Sequence, residues 1–391
     1  MIFNKQKFLP YGKHHLTKRD IFSLFKVLKG PNLTQGDYVP TFEKSLSKKV
    51  NSKYAVAVNS ATSALHLICL ALNLKKNDWL WTSANTFVAS ANCGRYCDAS
   101  IDFVDINPNT GLICIDALER KLKIAKNNNK LPKIFVAVHF AGASCDMERI
   151  WDLSKKYNFK IIEDASHALG GHYKGHIVGQ CVYSIATVFS FHPVKILTTG
   201  EGGAITTNDK NLAQKISLLR SHGITKNPAE FENKFYSEWS YEQKFLGFNY
   251  RMSDIHASLG ISQLKRLDKI VKERNKQFKY YELILKDLPV NLLEIPPQVK
   301  STIHLAIIRL SNKDASFHKE IFSSLRSAKI GVQVHYSPVH LHPYYKKLGF
   351  KEGDFPNAEF HANNSITIPL YIGLSTRDQD RVAKKLKALL L

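Results

Sequence analysis

Three short stretches hold residues whose types and spacing could do chemistry. FSFHPVKILTTGEGG, residues 189–203, carries one lysine, Lys195, between an apolar run and a glycine cluster. An amine in a crowded apolar loop loses proton affinity, because burial disfavours its charged form, and can then attack a carbonyl. IIEDASHALGG, residues 161–171, ends an apolar run on Glu163 and Asp164. NSATSALHL, residues 59–67, places small hydroxylated residues, Thr62 and Ser63 among them, where a strand would end and a helix begin. The unpaired N–H groups and partial positive charge of a helix start bind phosphate, and hydroxyls add donors. Each stretch alone has an ordinary structural explanation. Ser and Thr cap many helices without any ligand, and carboxylates near strand ends cap helices or sit in surface turns.

The glycines of the first stretch do not read as a nucleotide cradle. A dinucleotide fingerprint needs GxGxxG opening a helix, whereas GEGG here runs into the β-like AITT. A Walker loop sets its lysine after the glycines, and Lys195 precedes them. The cluster therefore predicts a tight turn feeding a strand, with Pro193 stopping the strand before it. That leaves the lysine as the reactive group. A lysine, a carboxylate for a pyridinium nitrogen and a phosphate cup are the three partners that pyridoxal phosphate (PLP) requires, and this chain offers all of them along one α/β segment.

The elements that must position these groups follow from periodicity. AVAV (55–58), KIFVAVHF (133–140), KIIEDA (160–165), SIATVFSF (184–191) and GGAITTN (202–208) read as strands. NSATSALHLICLAL and MERIWDLSKKYN read as a turn-and-helix and a helix. Strands alternating with helices predict an α/β domain with a mainly parallel sheet. Ligands bind such sheets at the carboxyl ends of the strands. After Arg251, SDIHASLGISQLKRLDKIVKERNKQFKYYELILKDL keeps helical spacing and predicts one long helix, N-capped by Ser253, between two domains. A boundary near 265 gives a large α/β domain (1–265) and a smaller α+β C-terminal domain (266–391).

Composition bounds the function classes. The chain has 391 residues, room for about two domains. Its hydrophobic fraction of 44% supports a sizeable core. No apolar run reaches the ~18 residues of a spanning helix, and MIFNKQKFLPYGKHH lacks a signal-type apolar segment. A cytoplasmic protein without a membrane partner is expected. The six cysteines form no CxxC pair and read as reduced and mostly buried, with no zinc site. The net charge of +22 favours anionic partners. Yet the lysines are scattered among asparagines (KNNNK, LKKND, KERNK), with no basic tail or helix-turn-helix extension. A solvated basic surface is the expectation, and no nucleic-acid partner.

Nearly end to end, the chain resembles the DegT/DnrJ/EryC1/StrS family of PLP-dependent nucleotide-sugar aminotransferases. The motifs run in order from PYGKHHLTKRDI through LTQG, NSATSALHL, ANTFVASAN, EDASHALGG, FSFHPVKILTTGEGG, RSHGI and GFNYRMSDIHASLGISQLKRLD to GVQVHYSPVH. The resemblance implies a fold type I PLP-dependent transferase. Lys195 would bond to the cofactor as an imine and shuttle the proton of the transfer. Asp164 would pair with the pyridinium nitrogen, and His167 would sit beside the 3-hydroxyl. Phe87 would stack on the ring, unless it is a core aromatic. Thr62, Ser63 and Ser190 would hold the phosphate. Asn249 would reach the phosphate of a neighbouring subunit, which implies a homodimer with shared sites. His335 and Tyr336 would touch substrate; with His340 and His342, His335 has the look of a metal set, but no metal is expected. Some members carry His at the lysine position and act as sugar 3-dehydrases, so Lys195 favours transamination; His192 belongs to the ordinary motif.

Within the family, NSATSALHL, EDASHALG, SFHPVK, RSHGI and GVQVHY are most similar to the branch of pseudaminic acid synthesis. That implies amination from glutamate at C4 of a UDP-linked 2-acetamido-2,6-dideoxy-4-keto-L-hexose, with pyridoxamine phosphate formed in the half-reaction. The product would feed cell-surface glycans and flagellin glycosylation. The cofactor motifs fit equally a 4-aminotransferase for another UDP- or dTDP-4-keto-6-deoxy sugar.

Overall fold

Five-residue runs such as IFVAV are apolar on both faces, and this decides where they go: a strand of that kind is stable only between two layers. In the computed structural model, which describes residues 7–233, 237–311 and 314–391, all of Ile134–Val138 is buried at the centre of a sheet. The strands are β1 (Tyr54–Val58), β2 (Trp79–Ser83), β3 (Ser100–Val104), β4 (Ile134–Val138) and β5 (Lys160–Asp164). A short hairpin follows, β6 (His172–Tyr173) and β7 (His176–Ile177), then β8 (Ala186–Ser190) and β9 (Gly203–Thr207). The seven-stranded sheet has the order β1-β9-β8-β5-β4-β2-β3. Strands β2, β3, β4, β5 and β8 are parallel, and β9 runs antiparallel to both β8 and β1.

Alternate residues of each strand feed opposite layers. Ile134 and Val136 join Leu65, Ile68 and Ile216 on one face, while Phe135 and Ala137 join Leu118, Leu122 and Ile150 on the other. A mainly parallel sheet between helical layers is the expected α/β architecture, and it aligns the carboxyl ends of five strands along one edge.

The helix expected after Arg251 is two helices, Asp254–Leu264 and Leu267–Leu285. Ser253 caps the first, its hydroxyl accepting from the His256 N–H at 3.3 Å. The break has a specific cause. Arg266 leaves helical geometry and donates to the His15 carbonyl at 2.6 Å and to Asp20 at 2.7 Å. The second helix carries Phe278, Tyr281 and Leu285 into a separate core with the antiparallel strands Val290–Leu292, Ala306–Leu310 and Ser365–Ile368. Leu9 joins that core, its backbone bonded to Lys329 and Gly331, so the N-terminal segment crosses to the C-terminal part of the chain. Among the described residues no helix is long and apolar enough to cross a membrane.

Candidate active site

Asp164 ends β5 and Ser190 ends β8, so the sheet delivers both side chains to its carboxyl edge. There they line a cavity of about 800 Å³ together with Thr62, Phe87, His167, Lys195, His335 and Tyr336. Eight of the ten residues singled out from sequence thus meet in one place, though they are spread from position 62 to 336.

The carboxylate is the most tightly held group. Oδ2 of Asp164 accepts from Ser90 Oγ at 2.7 Å, and Oδ1 accepts from Ser166 N–H at 3.1 Å and Ser166 Oγ at 2.6 Å. Ser90 is itself bonded to Thr86 Oγ1 at 2.9 Å. Donors on both oxygens stabilise the anion and fix its plane. Ser166 had a local signal, since an Asp followed two residues later by Ser is a common side-chain turn. Ser90 had none.

Its neighbour Glu163 points away, as alternation along a strand requires. It is buried and accepts from Ser184 Oγ at 2.5 Å and Thr187 Oγ1 at 3.1 Å, and pairs with His139 Nε2 at 2.7 Å. His139 Nδ1 takes the Cys145 N–H at 3.3 Å, so the ring proton sits on Nε2, facing the carboxylate. This pair ties β5 to the residue that follows β4, and His139 itself lines the cavity.

The lysine sits in a loop that the sequence predicts well. Lys195 N–H bonds to the His192 carbonyl, Thr198 Oγ1 to the Phe191 carbonyl, and the Gly200 N–H to Thr198 Oγ1. Gly200 has φ +83°, a left-handed conformation that favours glycine. Burial pushes the Lys195 amine down to about 8, against the pull of Asp164, which raises it. A sizeable neutral fraction is therefore present near neutrality.

At the helix Ala61–Ala71, Ser60 is the N-cap, accepting from the Ser63 N–H at 3.1 Å. Ser63 Oγ is donated to Asn59 Oδ1 at 2.6 Å, and Ser63 does not line the cavity, whereas Ser60, Ala61 and Thr62 do. Ser190 pairs in register with Gly203, and a Cβ at Gly203 would lie 2.5 Å from the Ala61 nitrogen and the Ser60 carbonyl carbon. The backbone of β9 thus needs glycine to lie against the helix start. Gly203→Val is expected to weaken PLP binding at least about tenfold through displacement of that start. Titration of the visible absorbance against added PLP measures this, with circular dichroism as the control for folding. Unaltered affinity would refute the close-packing role.

Buried aromatic groups close the cavity. His167 Nε2 meets Tyr336 OH at 3.2 Å, while its Nδ1 has no partner and its ring lies 4.3 Å from that of His304. Burial, then Lys195 and His335, hold His167 well below the usual histidine range, so it is neutral. His335 bonds to Thr367 Oγ1 at 2.7 Å and is pushed to about 3, by burial first and by Lys195 and His361 next. Burial also raises the Tyr336 phenol, so it stays protonated. Phe87 is 58% exposed and is no core residue; its ring faces the cavity 6.3 Å from Tyr336. Tyr11, which the sequence did not single out, reaches the cavity from the N-terminal segment and packs on His335 at 5.5 Å. His340 is paired with Glu359 at 2.9 Å, away from the cavity, and Asn249 is exposed and outside its lining. Among the described residues no cluster of His, Cys, Asp or Glu could hold a metal.

The arrangement fits a phosphorylated pyridine aldehyde on physical grounds. It combines a depressed-pKa amine, a fully hydrogen-bonded carboxylate, an unpartnered neutral imidazole nitrogen and a helix start that a side chain at 203 would block.

Comparison with known proteins places this geometry. The model of the DegT/DnrJ/EryC1/StrS aminotransferase family matches residues 15–387. The UDP-4-amino-4,6-dideoxy-N-acetyl-beta-L-altrosamine transaminase of Campylobacter jejuni (serotype O:23/36, strain 81-176) is 39% identical over 383 residues, covering 98% of this chain and 97% of that one. Among solved structures, Helicobacter pylori PseC, an aminotransferase involved in the biosynthesis of pseudoaminic acid, superposes with TM-score 0.89 at 33% identity, over 98% of this chain and 99% of that one. The PLP form of the Streptococcus pneumoniae sugar aminotransferase Spr1654 gives 0.88 at 28% identity, over 98% of each chain. The match is of sequence and fold alike over almost the whole length, and the chain belongs to the DegT/DnrJ/EryC1/StrS aminotransferase family.

Proposed function

We propose that this aminotransferase moves an amino group from glutamate to C4 of a UDP-linked 2-acetamido-2,6-dideoxy-4-keto-L-hexose, in the cytoplasm, on the route to pseudaminic acid and the cell-surface glycans and flagellin decorated with it. The observation that carries the reading is the 39% identity to the C. jejuni altrosamine transaminase across 98% of the chain.

Bound PLP would supply an electron-accepting ring, with pyridoxamine phosphate as its amino-carrying form. The chain's own residues do the rest. Asp164, anchored by Ser90 and Ser166, holds a proton on the ring nitrogen. Lys195 would hold the cofactor and, once an incoming amine has released it, would move a proton between the two carbons of the transferring imine, with a proton affinity that burial has brought near neutrality. His167 offers its free Nδ1 to the 3-hydroxyl and is itself fixed by Tyr336. Phe87 covers a ring face. Thr62 and Ser190, with the helix start that Ser60 caps, hold the phosphate. His335 and Tyr336 bound the sugar side. Asn249, exposed beyond its own cavity, reaches the phosphate of a second copy, so the working unit is a homodimer with shared sites.

A panel of UDP- and dTDP-linked 4-keto-6-deoxy sugars, each with glutamate and the purified protein, tests the reading by mass spectrometry and NMR of the products. The 4-amino L-altro product from the UDP-linked L-keto sugar is expected. Preferential turnover of a D-configured UDP or dTDP sugar would replace that substrate with the other 4-keto class.

A further inference from the structure

Ile303 stands in a conformation that its side chain resists. Its φ is +50°, and among the described residues it is the only β-branched side chain in the left-handed region. Such strain persists only where the surroundings over-determine it, and it gathers at functional sites. The surroundings here hold almost every backbone group of the bend. Thr302 N–H donates to the Gly142 carbonyl at 3.1 Å, and His304 N–H to the Ala141 carbonyl at 2.8 Å. Ile303 N–H donates to Ser301 Oγ at 3.0 Å. The carbonyls of Ile303 and His304 accept from Arg274, from Nε at 2.8 Å and Nη2 at 2.6 Å. Arg274 is 3% exposed and has no ion pair among the described residues, so a buried charge serves this bend.

What the bend delivers is His304. Its ring lines the active-site cavity and lies against His167, with centroids 4.3 Å apart and planes at 37°. Thr302 Oγ1 also donates to the His167 carbonyl at 2.7 Å, so one segment meets His167 at its backbone and at its ring. Nδ1 of His304 is buried without a partner, so no hydrogen bond there helps to fix the ring; the clamped backbone does. His167 has a single polar tether, its 3.2 Å contact from Nε2 to Tyr336 OH. The tautomer that serves a 3-oxygen accepts from that phenol at Nε2 and carries its proton on Nδ1. One hydrogen bond at an edge lets a ring swing about it, and a second group against the face stops the swing.

We propose that His304 is a positioning residue: held by the Ile303 bend and the Arg274 clamp, it supports the face of His167 and fixes the direction in which Nδ1 meets the cofactor's 3-oxygen. The proposal rests on the PLP reading, in which His167 faces that oxygen. A donor at the oxygen draws electron density from it and weakens its hold on the proton of the neighbouring imine.

In the loaded protein, pH titration of the visible band reads this. His304→Ala should raise the apparent pKa of the band by about one unit, because a turned His167 no longer donates to the oxygen. His304→Phe restores a ring face and should recover most of the shift. His167→Leu should raise the pKa at least as far, and adding His304→Ala to it should change nothing more, since His304 acts only through His167. The other titratable groups that line the cavity, Asp164, His139, His335 and Tyr336 among them, are the same in every variant. An unmoved pKa in His304→Ala, or shifts that add in the double variant, overturns the proposal. Crystals of cofactor-free His304→Ala give a readout independent of PLP. The His167 ring should be turned or split between orientations, and a ring in its parent orientation overturns the proposal equally. Should His304→Ala not fold, His304→Asn, which also removes the ring, carries the same expectations. A parent protein that shows no visible band with PLP would count against the cofactor reading, and the crystal comparison would still decide the role of His304.

Discussion

Lys195→Ala is expected to lower transamination by at least about 10⁴-fold and to remove the visible band of lysine-bound cofactor. Two losses combine. Proton transfer by a positioned side chain contributes roughly 10²–10⁴-fold, and the covalent attachment that lets the donor enter by exchange is lost as well. Lys195→Arg should be as inactive, although it keeps charge and bulk, because a guanidinium neither gives up its proton nor forms the imine. The pH dependence carries the same assignment. The amine is lowered from its ordinary 10.5 to about 8 by burial, against Asp164. Below about 8 the protonated amine cannot attack, so the rate at which cofactor-free protein captures PLP should rise about tenfold per pH unit and level off above 8. An unperturbed lysine would keep rising to about 10.5. Stopped-flow absorbance measures the profile, and residual turnover in either variant within tenfold of the parent would remove Lys195 from the chemistry.

The sequence carried the site further than the scaffold, for physical reasons. Lys195, Asp164 and the helix start at 59–63 are each fixed by a short local pattern, and strand ends bring such patterns to one edge of a parallel sheet. The strands found by pattern include runs that are apolar throughout, like Ile134–Val138. WLWTS and SIDFV give no such signal. Asp102 of the edge strand β3 turns outward to Lys121 at 2.6 Å, and such an interruption hides a five-residue strand. The helix after Ser253 has unbroken helical spacing, and nothing local marks the break at Arg266, whose partner Asp20 lies 246 positions away. The same limit hid Ser90, which grips Asp164 across 74 positions, and Arg274, whose partners are backbone carbonyls of distant segments. Ser63 shows the converse. Its residue type suits a phosphate donor, but its hydroxyl is committed to Asn59 inside the cap, a choice between equivalent hydroxyls that only the folded chain makes. By sequence Phe87 fits a stacking platform or a core position, and exposure of 58% decides against the core.

Asp164→Asn should cost about 10³-fold in turnover, the scale seen when one charge-stabilising group is removed from a preorganised site. The substitution isolates charge from shape. Asparagine fills the same volume, its amide oxygen can still accept from Ser166, and Ser90 and Thr86 are hydroxyls free to rotate so that Ser90 accepts instead of donating. The fold should therefore survive, with thermal unfolding close to that of the parent. On the role proposed for Asp164, what disappears is the anion that would keep a ring nitrogen protonated, so kcat should fall far more than KM rises. Ser90→Ala, which leaves the carboxylate but removes one of its donors, should fall only about 10- to 100-fold, since a hydrogen bond to a charged group is worth about 1.5–3 kcal/mol. A cofactor analogue whose ring nitrogen is methylated carries the positive charge permanently and does not depend on a neighbouring carboxylate for it. Supplied to Asp164→Asn, it should recover part of the lost rate, while in the parent it should bring no gain. Failure of that rescue, with the analogue demonstrably bound, would mean that Asp164 serves through its hydrogen bonds to Ser90 and Ser166 rather than through its charge.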